Sequence, residues 1–94
     1  MRMGVAIMVS KEVVINNQVG LHARPATFFI QKANEFKCSI WVEKNDRKVN
    51  AKSLLGVLTL CISADDTINI IADGVDEAKA VETLAEFVSV KFEE

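Results

Sequence analysis

The apolar residues of this 94-residue chain switch repeatedly between a repeat of two and a repeat of about 3.6, which limits the fold more than any other feature. Ser10 to Ile15 alternates, with Val13 and Ile15 on one face and Glu12 and Val14 on the other, as a half-buried strand does. From Ala23 the repeat lengthens. Ala26, Phe29, Ile30 and Ala33 recur at helical spacing, and Pro25 sits in the first turn, where a missing N–H is tolerated. Cys38, Ile40 and Val42 then alternate with Ser39, Trp41 and Glu43 as a second strand. Asn45-Asp46 suits a hairpin turn, since both side chains tolerate left-handed backbone angles, and Arg47 to Ala51 returns as a third strand. Ser53 is a natural N-cap for a short helix to about Thr59, which Gly56 weakens in its middle. Ser63-Ala64-Asp65-Asp66 turns the chain into a strand on which Ile68, Ile70 and Ala72 share a face. After Asp73-Gly74, a last helix from Asp76 or Glu77 carries Val81, Leu84, Phe87 and Val88 as its apolar stripe. Glu77 in its first turn and Lys91 in its last both suit the helix dipole.

The order β-α-β-β-α-β-α predicts an α+β fold, with an antiparallel sheet of four strands covered on one face by three helices. Half of the residues are hydrophobic, enough for one small core and too few residues for two. Net charge is −2 with acids and bases interspersed, which argues against a general nucleic-acid binder or an anionic-membrane binder. No apolar run approaches the roughly 20 residues of a membrane span. The start, Met1-Arg2-Met3-Gly4-Val5-Ala6-Ile7-Met8, has too short an apolar stretch for a leader peptide. A mis-called start, with translation beginning at Met8, explains residues 1–8 better. The expected organisation is therefore an extension over 1–8 and one domain over 9–94, in a cytoplasmic protein. Cys38 and Cys61 are expected to be small core residues rather than a disulfide. With one histidine and no CxxC, no metal site is expected.

That histidine lies in Gly20-Leu21-His22-Ala23-Arg24-Pro25-Ala26, between a loop and the start of a helix, off the apolar stripe. Helix N-termini favour anions, because free N–H groups and the positive end of the macrodipole converge there. The same field disfavours imidazolium, so a neutral ring with a free nitrogen is available to attack phosphorus. Arg24 offers a planar fork of donors to phosphoryl oxygens, although a solvated surface arginine is the commoner role for the residue type. No Gly-x-Ser-x-Gly elbow accompanies His22, which excludes that route to acyl transfer. The residue pattern points to a reversible phosphohistidine.

The heptapeptide resembles the active-site signature of the HPr family, the histidine-containing phosphocarriers of the phosphoenolpyruvate-dependent sugar phosphotransferase system. Val49-Asn50-Ala51-Lys52-Ser53-Leu54-Leu55-Gly56-Val57 resembles that family's second signature, around a regulatory serine. Ile70-Ile71-Ala72-Asp73-Gly74-Val75-Asp76-Glu77 resembles its last strand-to-helix junction, and the likeness runs from about Lys11 to the C-terminus. The resemblance implies an open-faced β-sandwich with strand order 1-4-2-3. It implies that His22 takes a phosphoryl group on Nδ1 from phosphorylated Enzyme I and passes it to Enzyme II A components, with Arg24 as the active-site arginine. It implies Ser53 as the target of an ATP-dependent HPr kinase/phosphorylase, and a catabolite-control transcription regulator as a further partner. No cofactor or metal is held by such a carrier. It is expected to be a monomer that needs partner enzymes for turnover, with neither nucleic-acid binding nor membrane insertion.

Read by itself, Ser53 is most simply an N-cap, yet a phosphate there suits a helix N-terminus and would repel acidic residues of a partner. Leu54, Leu55 and Leu58 cannot all face inward on so short a helix, and an apolar patch beside a charge-bearing site marks a docking surface. In the family, this helix and the positions of Thr27 and Gln31 contact donor and acceptor proteins. Trp41, on the outer sheet face with Ser39 and Glu43, reads as a surface-lying aromatic. Cys61 stands where the family commonly has glycine after the short helix. Asp65-Asp66 replaces a turn that usually carries glycine, which aspartate tolerates. Two other readings remain: a phosphocarrier of the nitrogen-related branch, and a regulator that works through phospho-Ser53 alone. Lys52-Ser53-Leu54-Leu55-Gly56 disfavours the former. Regulators of the latter kind replace the active-site histidine, and His22 is present.

Overall fold

In a computed structural model describing residues 8–15 and 23–89, the elements follow in the expected order. They are β1 (Val9–Val14), α1 (Ala23–Ala33), β2 (Ser39–Lys44), β3 (Arg47–Asn50), α2 (Leu54–Thr59), β4 (Thr67–Asp73) and α3 (Glu77–Ser89). The strands form one antiparallel sheet in the order β1-β4-β2-β3. Strand β4 is central because its alternate residues Ile68, Ile70 and Ala72 are all buried, so it gains most from a neighbour on each side. Register follows the same alternation. Val13 lies opposite Ile68, and Val42 lies between Ile70 and Val49, which keeps these apolar side chains together on the helical face.

The three helices cover that face. Ala26, Phe29 and Ala33 of α1 and Ala80, Val81, Leu84, Ala85 and Val88 of α3 are buried, with Val57 supplied by α2. The Phe29 and Phe87 rings meet tilted, 6.2 Å between centroids, where α1 and α3 pack. On the open face, Lys48 Nζ lies 5.5 Å from the Trp41 ring centroid, so the indole is a half-buried surface aromatic as expected.

One sequence expectation needs correction. Cys38 is a buried core residue, but Cys61 is exposed, because it occupies the position just past α2 and takes a φ of 51°. Glu77 lies in the first turn of α3 as expected, and it is also buried: it is only 6% exposed, and its Oε1 accepts from the Gly74 N–H at 2.9 Å. The carboxylate reaches back three residues as in a capping box, satisfying a donor that the turn would otherwise bury unpaired. Lys91 lies outside the described residues.

Asp76, one position earlier, accepts from the backbone N–H of Lys37 at 2.9 Å and of Cys38 at 3.0 Å. The entry to β2 is thereby stitched to the start of α3. Asp65, with φ 72°, occupies the left-handed region that the turn before β4 requires.

Candidate functional site

Helix α1 begins at Ala23, the residue that follows His22 in the chain, and has no acidic residue in its first turn. Its leading N–H groups and dipole therefore present an anion-favouring end with no carboxylate of its own to oppose it. Gly20, Leu21 and His22 lie outside the described residues, and so does the side chain of Arg24. Along α1, Thr27, Phe28 and Gln31 share the face opposite Ala26, Phe29 and Ala33. Thr27 is half-buried, whereas Phe28 and Gln31 are exposed. Phe28 is an addition to the sequence-based set. Its spacing from Thr27 and Gln31, off the buried stripe, was the available signal.

Helix α2 packs against α1. Ser53 caps it as expected, in extended backbone (φ −109°, ψ 114°), its Oγ accepting from the Gly56 N–H at 3.1 Å. The hydroxyl is thus already at the helix's anion-favouring end and half exposed. Leu55 is 74% exposed and Leu54 39%, while Leu58 is half-buried and packs onto the core. The exposed large apolar side chains of these two helices are therefore Leu54 and Leu55 on α2 and Phe28 on α1, while Leu58 packs against the core.

Electrostatics elsewhere are structural. The Ser63 N–H and the Lys44 ammonium hold the Asp66 carboxyl below the usual carboxylate range. The Lys37 N–H, then the Cys38 thiol, do the same for Asp76. Both folded-state values are depressed, so their stabilisation is complete above the ordinary carboxylate range. It is lost as pH falls through those lowered values. Burial first, with the Asp76 carboxylate second, pushes the Cys38 thiol up to about 11. A protonated, buried thiol is inert to alkylation. Iodoacetamide is expected to modify Cys61 in the native protein and Cys38 only after unfolding. Peptide mapping that finds Cys38 labelled first would contradict this packing.

Among the described residues no group of His, Cys, Asp and Glu can hold a metal ion, and no helix is long and apolar enough to cross a membrane. A depression of about 180 Å³ lies along β2 and β3, lined by Trp41, Asn50, Lys37 and Lys52, and not between α1 and α2. Lys52 there donates to the Phe36 carbonyl at 2.7 Å.

An open-faced sandwich with a histidine motif leading into α1, and exposed leucines beside a capping serine on α2, defines a class of small carrier proteins. Their working part is a surface rather than an enclosed pocket. The chain belongs to the PTS HPr family: the family pattern for the PTS HPr component phosphorylation site matches residues 9–89. It is similar to the HPr-like protein Crh of Halalkalibacterium halodurans, with 46% identity over 81 residues, covering 86% of this chain and 96% of Crh. It is similar to the phosphocarrier protein HPr of Neisseria meningitidis, with 39% identity over 87 residues, covering 93% of this chain and 98% of that protein. The crystal structure of a phosphocarrier protein HPr from Bacillus anthracis matches the fold with a TM-score of 0.85 at 43% identity. It covers 86% of this chain and 96% of the other. The expected strand order is the one found.

Proposed function

We propose that this chain is a cytoplasmic, monomeric phosphocarrier of the sugar phosphotransferase system. In this reading, Nδ1 of His22 attacks the phosphoryl group of phosphorylated Enzyme I. The new N–P bond forms as the bond to the donor breaks, and the group passes next to an Enzyme II A component. The observation that carries the reading is the run His22-Ala23-Arg24-Pro25 meeting the N-terminus of α1 at Ala23. Such a site supplies a nucleophile, a guanidinium and a helix end, and phosphoryl transfer asks little more than positioning and charge compensation. The exposed Phe28, Leu54 and Leu55, with Thr27 and Gln31, form the docking face for donor and acceptor.

Ser53 is the regulatory position. A phosphate on its Oγ adds about two negative charges beside that face, where the N-terminus of α2 accepts them. Such a phosphate repels acidic residues of Enzyme I and offers an anionic epitope to a catabolite-control transcription regulator, after transfer from ATP by HPr kinase/phosphorylase. Ser53→Asp is expected to slow acceptance at His22 by about tenfold or more, the scale on which local charge alters association. Stopped-flow transfer from phospho-Enzyme I measures this, and unchanged kinetics would remove Ser53 from regulation.

The likeness to Crh supports a second reading, a regulator acting through phospho-Ser53 alone. Onward transfer separates the two. Phosphorus NMR of the phosphorylated chain mixed with an Enzyme II A component shows the phosphohistidine signal move to the acceptor only if the chain is a carrier.

A further inference from the structure

Helix α2 has six residues, well short of the roughly 12 that a helix needs to persist alone, and no basic residue in its last turn. The carbonyls at and just past its C-terminal end are nonetheless engaged, and two of the donors are side chains of the β2–β3 hairpin. Gly56 O accepts from Thr59 Oγ1 at 2.6 Å, Val57 O from the Leu60 N–H at 3.1 Å, and Leu58 O from the Cys61 N–H at 3.2 Å. The last three carbonyls are met by the β2–β3 hairpin. Arg47 Nη1 donates to Thr59 O at 2.9 Å, and Lys44 Nζ donates to Leu60 O at 3.2 Å and to Cys61 O at 2.8 Å. Lys44 and Arg47 are the cross-strand pair that flanks the Asn45-Asp46 turn, so one hairpin tip delivers both cations. Lys44 is itself held by Asp66 Oδ2 at 2.9 Å, and the same oxygen accepts from the Ser63 N–H at 2.7 Å.

This clamp sits where the chain has the wrong residue for a self-sufficient helix end. Cys61, with φ 51°, takes the left-handed position past the helix that glycine fills most easily. A cation at a helix C-terminus opposes the negative end of the dipole, and charge-assisted bonds are stronger than neutral ones. The hairpin supplies what α2 lacks.

We infer that Lys44 and Arg47 are positioning residues for partner docking: by fixing the C-terminal end of α2 they set the angle at which Ser53, Leu54 and Leu55 face a partner. A one-and-a-half-turn helix moves as a single body, so holding one end orients the other. The inference rests on the proposal that this face docks Enzyme I.

The test is amide hydrogen exchange and Enzyme I kinetics on Lys44→Met/Arg47→Met. Exchange at Leu60 and Cys61 is expected to quicken by about tenfold or more, while amides in the β1–β4 ladder keep their protection. The KM of Enzyme I for the chain is expected to rise with kcat retained, and Lys44→Arg/Arg47→Lys restores both readouts. Should the double variant not fold, Lys44→Met alone gives the same direction. Adding Cys61→Gly to it should return protection to α2, since glycine removes the strain at φ 51°. Unaltered exchange in α2 overturns the clamp. Faster exchange with an unmoved KM overturns its role in docking, provided Leu55→Asp raises that KM. If Leu55→Asp also leaves KM unmoved, the docking face itself fails.

Discussion

His22→Ala is expected to abolish phosphoryl acceptance from phospho-Enzyme I outright rather than slow it. The proposed reaction stores the group in a covalent bond to the ring, and alanine has no atom to hold it. In the proposed site, Arg24, the α1 terminus and the docking face would only orient and neutralise, so none of them replaces a nucleophile. The fold should survive, because α1 is anchored by Ala26, Phe29 and Ala33, each fully buried. Circular dichroism and thermal melting of the variant should match the parent within the small range typical of surface changes, about 0.5 kcal/mol. Acid-labile phosphate on His22→Ala would place the acceptor elsewhere and sink the site assignment.

The largest structural effect should come from a single methyl group at Gly74. Its φ is 152°, and a Cβ built there falls 2.6 Å from the Cβ and 2.8 Å from the Cα of Cys38. Cys38 has nowhere to go. Its N–H is bound to Asp76, its side chain is in the core, and the next residue, Ser39, is paired with Asp73. Gly74→Ala would also disturb the N–H bond to Glu77 that accounts for that buried carboxylate. Combined backbone strain and overpacking predict a loss of about 2–4 kcal/mol, or a melting point lowered by more than about 10 °C. Val75→Ala is the matched control, because Val75 is 90% exposed and its truncation should leave the melt unchanged. A Gly74→Ala protein as stable as the control would mean that β2 and the start of α3 are not packed as described.

Much of the architecture was legible because each element buries one face and therefore carries its period in the sequence. Ile68, Ile70 and Ala72 announce β4 in this way, and their burial suits β4 to an interior place in the sheet, which β2 shares. Ser53 was legible as a cap because capping chemistry is local, with donor and acceptor three residues apart. The features that were missed are the long-range ones. Asp76 holds amides 38 and 39 positions away, and nothing near Asp76 in the chain signals that the turn before α3 needs tying to the entry of β2. Glu77 reads locally as a dipole partner, and only the tertiary fold makes it a buried acceptor. Lys44 and Arg47 look like solvated hairpin charges until the hairpin tip is seen against the end of α2. At the candidate site, sequence supplied the chemistry of His22 and Arg24, whereas the structure supplied its surroundings. Those are the α1 start at Ala23, the exposure of Leu54, Leu55 and Phe28, and the packing of half-buried Leu58 against the core.

The central claim is that His22 carries a transferable phosphoryl group, and intact-mass spectrometry tests it most directly. The chain is incubated with Enzyme I, Mg²⁺ and phosphoenolpyruvate, then weighed before and after mild acid. The account predicts the gain of one phosphoryl group, its loss in acid and its absence in His22→Ala. No gain with an Enzyme I that phosphorylates a known HPr would contradict the carrier reading and leave phospho-Ser53 as the working form.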